Sequence, residues 1–410
     1  MGCASHERPD CRPALELADI VRASEQDYRA AYRLPGHHDR VLRALVNCRT
    51  AALGGFKYQC DTCDHVTIQY ASCRNRHCPR CQTLSGTRWV ERQCKELLYI
   101  DYWHTVFTLP HELNRLAQWH PRLVYNLLFQ SASRTLLEFG LNPRWLGGNI
   151  GITMVLHTWG QNLSRHIHVH CIVTGGAQSL DGQRWIAGNR QFLFPTRALS
   201  RVFRGKYIDA LEKVQRAGEL SCPEEGGLDL NNNDTFDTLL TQLRSQDWVV
   251  YAKPPFAGAE KVVSYLGRYT HRVAISNHRL IGFDGKRVRF RWRDYAHGNK
   301  QKVMDLSSDE FIRRFLLHVL PRGLMRIRHY GLQANRDRHK RLTQCRKLLG
   351  QAEPAPQKKE TVEQMMLRLT GVDITACPAC KIGKLRQTQS LLPIRPSKPT
   401  PQATGPPADA

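Results

Sequence analysis

Three histidines alternate with apolar residues in the run Trp159 to Gly176, WGQNLSRHIHVHCIVTGG, where His166, His168 and His170 interleave with Ile167, Val169 and Cys171. Successive side chains of an extended strand leave opposite faces, so the imidazoles share one face and the apolar groups the other. Imidazoles grouped in this way can hold zinc, manganese, iron, nickel or copper, or share Mg²⁺ or Mn²⁺ with oxygen ligands. A half-exposed strand with fortuitous histidines is the competing reading, since so short a pattern fixes no reaction class. His157 and Gln161, just upstream, are the candidates for a third ligand.

A second set of ligand types lies nearer the N-terminus. Cys60-x₂-Cys63 and Cys78-x₂-Cys81 flank a short strand-like run, VTIQYA. Four thiolates at this spacing suit tetrahedral Zn²⁺, and so small a module needs the folding energy that a metal brings. A redox dithiol is disfavoured by the doubling of the motif and by the lack of a thioredoxin-like setting. Cys48, Cys73 and His77 are spare ligands that could form a second site or replace one of the four. Cys377-x₂-Cys380 is a lone knuckle, with Cys345 or His339 as candidate partners.

The third set is a pair of phenols in EKVVSYLGRYTHRVAIS, where Val262, Leu266, Tyr269 and Val273 fall at helical spacing on one apolar face. Tyr265 lies on the neighbouring face with Lys261, Arg268 and Arg272, cations that favour its phenolate. Tyr269 reads equally well as a core aromatic. Two tyrosines four apart on a helix lie about 5–6 Å apart at Cβ.

Charge says what these groups act on. The 410-residue chain carries 60 Lys and Arg against 36 Asp and Glu, a formal net charge of +24, which makes nucleic acid the first candidate partner. An anionic membrane is the weaker choice. No apolar run approaches the roughly 18–20 residues needed to span. The N-terminus, MGCASHERPDC, lacks the apolar core of a signal peptide, and His6 departs from the myristoylation pattern. Fourteen clustered cysteines without a secretion signal fit metal binding better than a disulfide framework. The expectation is a cytoplasmic protein of two or three domains.

The elements that must position these residues are legible in outline. Residues 17–46 have a helical pattern, 83–100 look helical, and YWHTVFTLP reads as a strand stopped by Pro110. A helix follows to Gly140, and then the alternation of NIGITMVLHTW and HIHVHCIVTGG predicts an antiparallel pair. Residues 198–215 read as a basic amphipathic helix, 219–236 as loop and 247–254 as a strand. RLIGFDGKRVRFRWRDY is a hairpin turning at Asp284-Gly285, with Val288, Phe290 and Trp292 inward and Arg287, Arg289, Arg291 and Arg293 outward. That arginine ribbon suits phosphate, as do Arg74, Arg76, Arg80, Arg88 and Arg92 around the knuckles. Residues from Phe311 to Gly350 read as basic helix, 351–360 as linker, and the chain from Leu391 on as a disordered Pro-rich tail.

The runs CRTAALGG, SCRNRHCPRCQ, VFTLP, WGQNLSRHIHVHCIVTGG, YLGRYTHRVAISNHRL and FIRRFLLHVLPRG closely resemble the rolling-circle transposases of the insertion sequence 91 family, from about residue 20 to 350. That family belongs to the HUH nucleases, named for His-hydrophobic-His. The resemblance implies an α+β fold: a central antiparallel sheet flanked by helices, both histidines on a middle strand, and a small zinc-binding module before it. It places the metal-binding pair on His168 and His170 and the nucleophiles on Tyr265 and Tyr269. It further implies a bacterial enzyme that nicks and rejoins single-stranded DNA at the ends of a mobile element through a covalent 5′-phosphotyrosine, with Mg²⁺ or Mn²⁺ for catalysis and structural Zn²⁺. The domains expected are an N-terminal helical segment (1–47), a DNA-binding zinc module (48–95), a nuclease domain (100–300), a basic helical region (301–350) and a linker with the lone knuckle and tail (351–410). Arg268, Arg272, Arg287, Arg289 and Arg291 are the expected DNA contacts, and the nucleoid the place of action. Gly267 costs the tyrosine helix about 1 kcal/mol relative to Ala, tolerable where DNA approaches the backbone closely. Two other functions share these features: a replication initiator with the same nicking chemistry, and a non-catalytic zinc regulator whose histidines are structural.

Overall fold

A computed structural model describes residues 13–220, 232–253, 267, 274–295, 297–355 and 360–394. These fall into two compact units. One contains the residues up to Gln82, Ile275–Arg313 and the chain from Ala355 on; the other contains Thr83–Ala274 and Arg314–Pro354.

The second unit is built on a five-stranded antiparallel sheet whose order is β13-β5-β6-β3-β9. Its strands are β3 (Tyr102–Thr108), β5 (Gly151–Trp159), β6 (Arg165–Thr174), β9 (Val250–Lys253) and β13 (Ile327–Gly331), beside a small sheet of β4 (Gly148–Asn149), β7 (Gly176–Ser179) and β8 (Trp185–Ala187). Residues opposite one another in an antiparallel ladder share a face. Phe107, Ile167, Val169, Cys171, Met154 and Leu156 therefore line one side, all of them fully buried or within 1% of it. Helices α5 (Pro121–Leu141) and α6 (Thr196–Arg216) cover that side. Phe203 of α6 meets Phe107 edge-on at 5.0 Å and Trp248 at 5.2 Å. The opposite side carries His168 and His170. Lower on it, Ile172 and Tyr102 pack with Trp89 of helix α3 (Pro79–Glu96). The histidine strand is thus the middle one of five, and its apolar face is clamped by the main core.

The first unit contains helices α1 (Leu17–Ala31) and α2 (Gly36–Val46), parted by the extended residues before Gly36, so the helical pattern of 17–46 is two helices. It also contains two three-stranded antiparallel sheets. One has the order β14-β1-β2, from Gly55–Cys60 (β1), Val66–Tyr70 (β2) and Leu385–Leu391 (β14). The other runs β10-β11-β12, from Leu280–Phe283, Arg287–Asp294 and Lys300–Ser307.

The stretch from Phe311 to Gly350 is not one helical run. Helix α8 (Ser308–Leu316) ends before Pro321-Arg322-Gly323, where Gly323 has φ +77°, and the chain then forms β13 and helix α9 (Arg338–Leu348). Proline and a left-handed glycine stop the helix. The vacant edge of β5 then offers Ile327–Gly331 a full ladder opposite Gly151–Val155. Gly331 closes that ladder with φ +59°, where a Cβ would collide with the Ile150 carbonyl. The end of the stretch read as loop, residues 233–236, instead begins helix α7 (Asn233–Ser245), capped by the Asn232 side chain accepting from the Asp234 amide.

Candidate metal centres and DNA interface

The register of β5, β6 and β3 brings the histidines together. His157 of β5 stands directly opposite His168 of β6, and His170 lies one pair further along on the same face. The ligand nitrogens of His157, His168 and His170 all lie within 4.8 Å of one another. His168 Nε2 is 3.1 Å from His170 Nε2. Two nitrogens sharing one cation at about 2.0–2.1 Å would be separated by a similar distance. His168 Nδ1–H donates to the His166 carbonyl at 2.9 Å, which leaves Nε2 with its lone pair aimed at the cluster. Gln161, the other expected candidate for a third ligand, lies in the turn after β5.

Electrostatics keep these rings in the form that binds metal. Burial, then the neighbouring imidazoles, pushes the His168 ring down to about 3 and holds His170 well below the ordinary histidine range. Both are therefore neutral at pH 7. Sequence reasoning missed a fourth ring. His104 of β3 places Nε2 2.8 Å from His170 Nδ1 and stacks on it with ring centroids 5.1 Å apart. Burial, then Lys253, pushes His104 down to about 4, so it too is neutral. With His104 Nε2 accepting from His170 Nδ1–H, the Nε2 of His170 is left for a metal. His104 carries no local sign of this role, because only the pairing of β3 with β6 brings it there. A donor set of three converging imidazoles, two of them held neutral with Nδ1 engaged, fits a divalent cation.

The cysteines group differently from the expected Cys60, Cys63, Cys78 and Cys81 set. Cys78 and Cys81 meet Cys48 and Cys73, while Cys60 and Cys63 meet Cys377 and Cys380; within each group the sulfurs lie within 4.8 Å. In the first group Cys48 Sγ is 3.5 Å from Cys81 Sγ and 3.8 Å from Cys78 Sγ. Arg49 and Arg74, each following one of these cysteines, adopt left-handed φ of 55° and 50°. Arg74 turns the Asn75 amide back onto Cys73 Sγ at 3.5 Å. Arg22 of α1 donates to the Cys48 carbonyl at 3.2 Å, tying the group to the helices. His77 is held by Asn75 Oδ1 at 3.0 Å instead of joining the sulfurs. Cys345, expected as a partner for the lone knuckle, is buried with Leu98, Leu332 and Leu342.

The arginine ribbon has the alternation read from its sequence. Val288 and Phe290 are fully buried, and Arg287, Arg289, Arg291 and Arg293 are exposed along β11. Phe290 packs on Phe311 at 5.8 Å. Among the described residues only Arg287 of the four forms an ion pair, with Asp305 at 2.9 Å. Tyr265, Tyr269, Arg268 and Arg272 lie outside the described residues. Gly267 is helical, and a Cβ on it would collide with Val90 Cγ2, so a protein side chain accounts for the glycine there without DNA.

Comparison with known proteins gives this arrangement its class. The family described as "Putative transposase" matches residues 151–341, and that described as "Transposase zinc-binding domain" matches residues 20–109. The protein is a transposase with an N-terminal zinc-binding domain. A "Putative transposase y4qJ" of Sinorhizobium fredii is 49% identical over 378 residues, covering 91% of this chain and 95% of the relative. The "Transposase for insertion sequence element IS801" of Pseudomonas savastanoi pv. phaseolicola is 29% identical over 339 residues, covering 82% of this chain and 80% of the relative. The chain belongs to the insertion sequence 91 family of transposases. No solved structure matches it. No helix among the described residues is long and apolar enough to cross a membrane.

Proposed function

We propose that this transposase nicks and rejoins single-stranded DNA at the ends of its element, with His157, His168 and His170 holding Mg²⁺ or Mn²⁺ and Tyr265 and Tyr269 as nucleophiles. The observation that carries the reading is the convergence of three imidazoles, their ligand nitrogens within 4.8 Å of one another, on two paired central strands. When bound, the cation neutralises charge on the scissile phosphate. His168 and His170 would hold it through Nε2, since their Nδ1 atoms are engaged by the His166 carbonyl and His104. A tyrosine hydroxyl loses its proton as its oxygen bonds to phosphorus, and the 3′ oxygen leaves with a proton. The phosphotyrosine conserves the bond for rejoining. Two phenols permit a second exchange before the first is resolved, and Tyr265, with its cationic neighbours in sequence, makes the first cut. The Cys48, Cys73, Cys78 and Cys81 sulfurs hold a structural zinc, and the ribbon of Arg287, Arg289 and Arg291, with Arg268 and Arg272, contacts phosphates. The protein acts in the bacterial cytoplasm, on nucleoid DNA.

The test is a nicking assay on single-stranded oligonucleotides of the element's ends. His168→Ala with His170→Ala should abolish cleavage in Mg²⁺ and Mn²⁺ while the circular dichroism spectrum is kept. Tyr265→Phe should remove the covalent protein–DNA adduct from a denaturing gel, whereas Tyr269→Phe should keep the adduct and lose transposition in cells. Wild-type nicking by the double histidine variant would overturn the metal assignment, and an adduct that survives loss of both tyrosines would remove them from the mechanism. A regulator without catalysis would retain every activity in all these variants. A replication initiator would nick but not integrate.

A further inference from the structure

Two knuckles more than 300 positions apart in sequence face one another in the first unit. Cys60 Sγ lies 3.7 Å from Cys380 Sγ, and Cys63 Sγ lies 3.8 Å from Cys377 Sγ. Both knuckles are built alike. The Thr62 amide points at Cys60 Sγ at 3.4 Å, and the Gly383 amide points at Cys380 Sγ at 3.3 Å. The Cys60 amide donates across its own loop to the His65 carbonyl, and the Cys377 amide donates to the Gly383 carbonyl. Amide donors aimed at sulfur stabilise thiolates over thiols. The loops are also locked together, since Asp61 N–H donates to the Lys384 carbonyl at 3.0 Å and Lys384 N–H donates to Asp61 Oδ1 at 2.7 Å. Gly383 is fitted to this contact: a Cβ there would collide with Cys60 Sγ and stand 2.6 Å from Thr62 Oγ1.

We infer that Cys60, Cys63, Cys377 and Cys380 bind a second structural Zn²⁺, which fastens the C-terminal segment onto the zinc module and so seats β14 beside β1. Cys377 and Cys380 lie outside the residues matched by the zinc-binding family. The ligand is a thiophilic divalent cation, since four sulfurs within 4.8 Å suit tetrahedral zinc and exclude Mg²⁺ or Ca²⁺. Binding deprotonates the thiols, so up to four protons leave as four zinc–sulfur bonds form. The fold consequence is specific. β14 pairs with β1 from Gly55–Leu391 to Cys60–Leu385, making β1 the middle strand of its sheet. The exposed, polar β14, LRQTQSL, has little apolar surface with which to hold that place unaided. This inference is independent of the nicking chemistry.

The test is metal content and thiolate spectroscopy on the full chain. Substituted with Co²⁺, the wild-type protein should show thiolate-to-metal charge-transfer absorption that halves in the Cys377→Ser, Cys380→Ser variant, and its zinc content should exceed the variant's by one per chain. The histidine cluster has no thiolate and contributes nothing to that absorption. In a second arm, a protease site is inserted after Ala355. After cleavage the C-terminal fragment should co-elute with the rest of the chain, and chelator or the two serine substitutions should release it. Equal cobalt absorption in wild type and variant, Cys60–Cys380 or Cys63–Cys377 disulfides found by mass spectrometry, or a fragment retained in chelator would each overturn the proposal.

Discussion

His318 allows a quantitative check on the packing behind the metal-binding strands. It is fully buried, its Nε2–H donates to the Leu163 carbonyl at 3.0 Å, and its Nδ1 accepts from the Thr158 hydroxyl at 3.3 Å. Those contacts brace the turn joining β5 to β6, where Leu163 has φ +64°. Burial, opposed in part by the Leu163 carbonyl, pushes the imidazole from 6.5 down to about 3. An unfolded chain binds the proton below about 6.5 and the folded one does not. The contribution is therefore present in full above about 6.5 and is lost progressively as pH falls toward about 3. Each pH unit in that window removes about 1.4 kcal/mol, so going from pH 8 to pH 5 costs about 2 kcal/mol through this residue. His318→Gln keeps a donor and an acceptor but has no proton to gain. At pH 8 it should be less stable than wild type by about 1–3 kcal/mol, and the gap should close by about 2 kcal/mol at pH 5. Urea unfolding followed by tryptophan fluorescence at pH 8, 6 and 5 measures this, and the difference cancels the other buried histidines. Parallel pH profiles for the two proteins would refute the reasoning.

Three further outcomes are expected. His104→Phe should weaken Mn²⁺ binding by about 10–100-fold, the usual effect of losing a partner that orients a metal ligand, measured by calorimetric titration. Replacing Arg289 and Arg291 by Gln should lower the magnitude of the log–log salt slope for single-stranded DNA by about 0.7 per contact; Arg287→Gln should change it less, because Asp305 already partners that guanidinium. Phe203→Ala, which empties a site between Phe107, Tyr207 and Trp248, should destabilise the second unit by about 3–5 kcal/mol, seen as a fall in its unfolding midpoint.

Much of the centre was legible because period-two alternation is a local property. His168 and His170 share a face by spacing alone, and the arginine ribbon alternates as its sequence does. What remained hidden depends on which strands pair. The choice between His157 and Gln161 is made by the register of His157 with His168, and His104, with no local signal, comes in through β3. Cys60 and Cys63 lie near Cys78 and Cys81 in sequence, yet the fold takes each pair to a different set. The strands Ile327–Gly331 and Leu385–Leu391 carry too many charged and polar residues to show a buried strand pattern, and each is recruited by the open edge of an existing sheet. Local propensity is weak evidence when a ladder partner is waiting.

Late in the sequence the chain returns to each compact unit in turn. After β12, residues from Arg314 to Pro354 belong to the second unit, where they supply β13, and residues from Ala355 on belong to the first, where they supply β14. A chain ending at residue 354 keeps every histidine of the metal cluster and the whole Cys48, Cys73, Cys78 and Cys81 group. It loses Cys377, Cys380 and the β14 ladder along β1, so Cys60 and Cys63 are left with two of their four sulfurs. Two thiolates do not complete a tetrahedral site. With intact zinc-loaded protein, brief alkylation should therefore spare Cys60 and Cys63, and in the truncated chain it should label both while sparing Cys48, Cys73, Cys78 and Cys81. Labelling of both groups alike would show that they are a single cooperative site. Protection of Cys60 and Cys63 in the truncated chain would show that the C-terminal knuckle is dispensable to them.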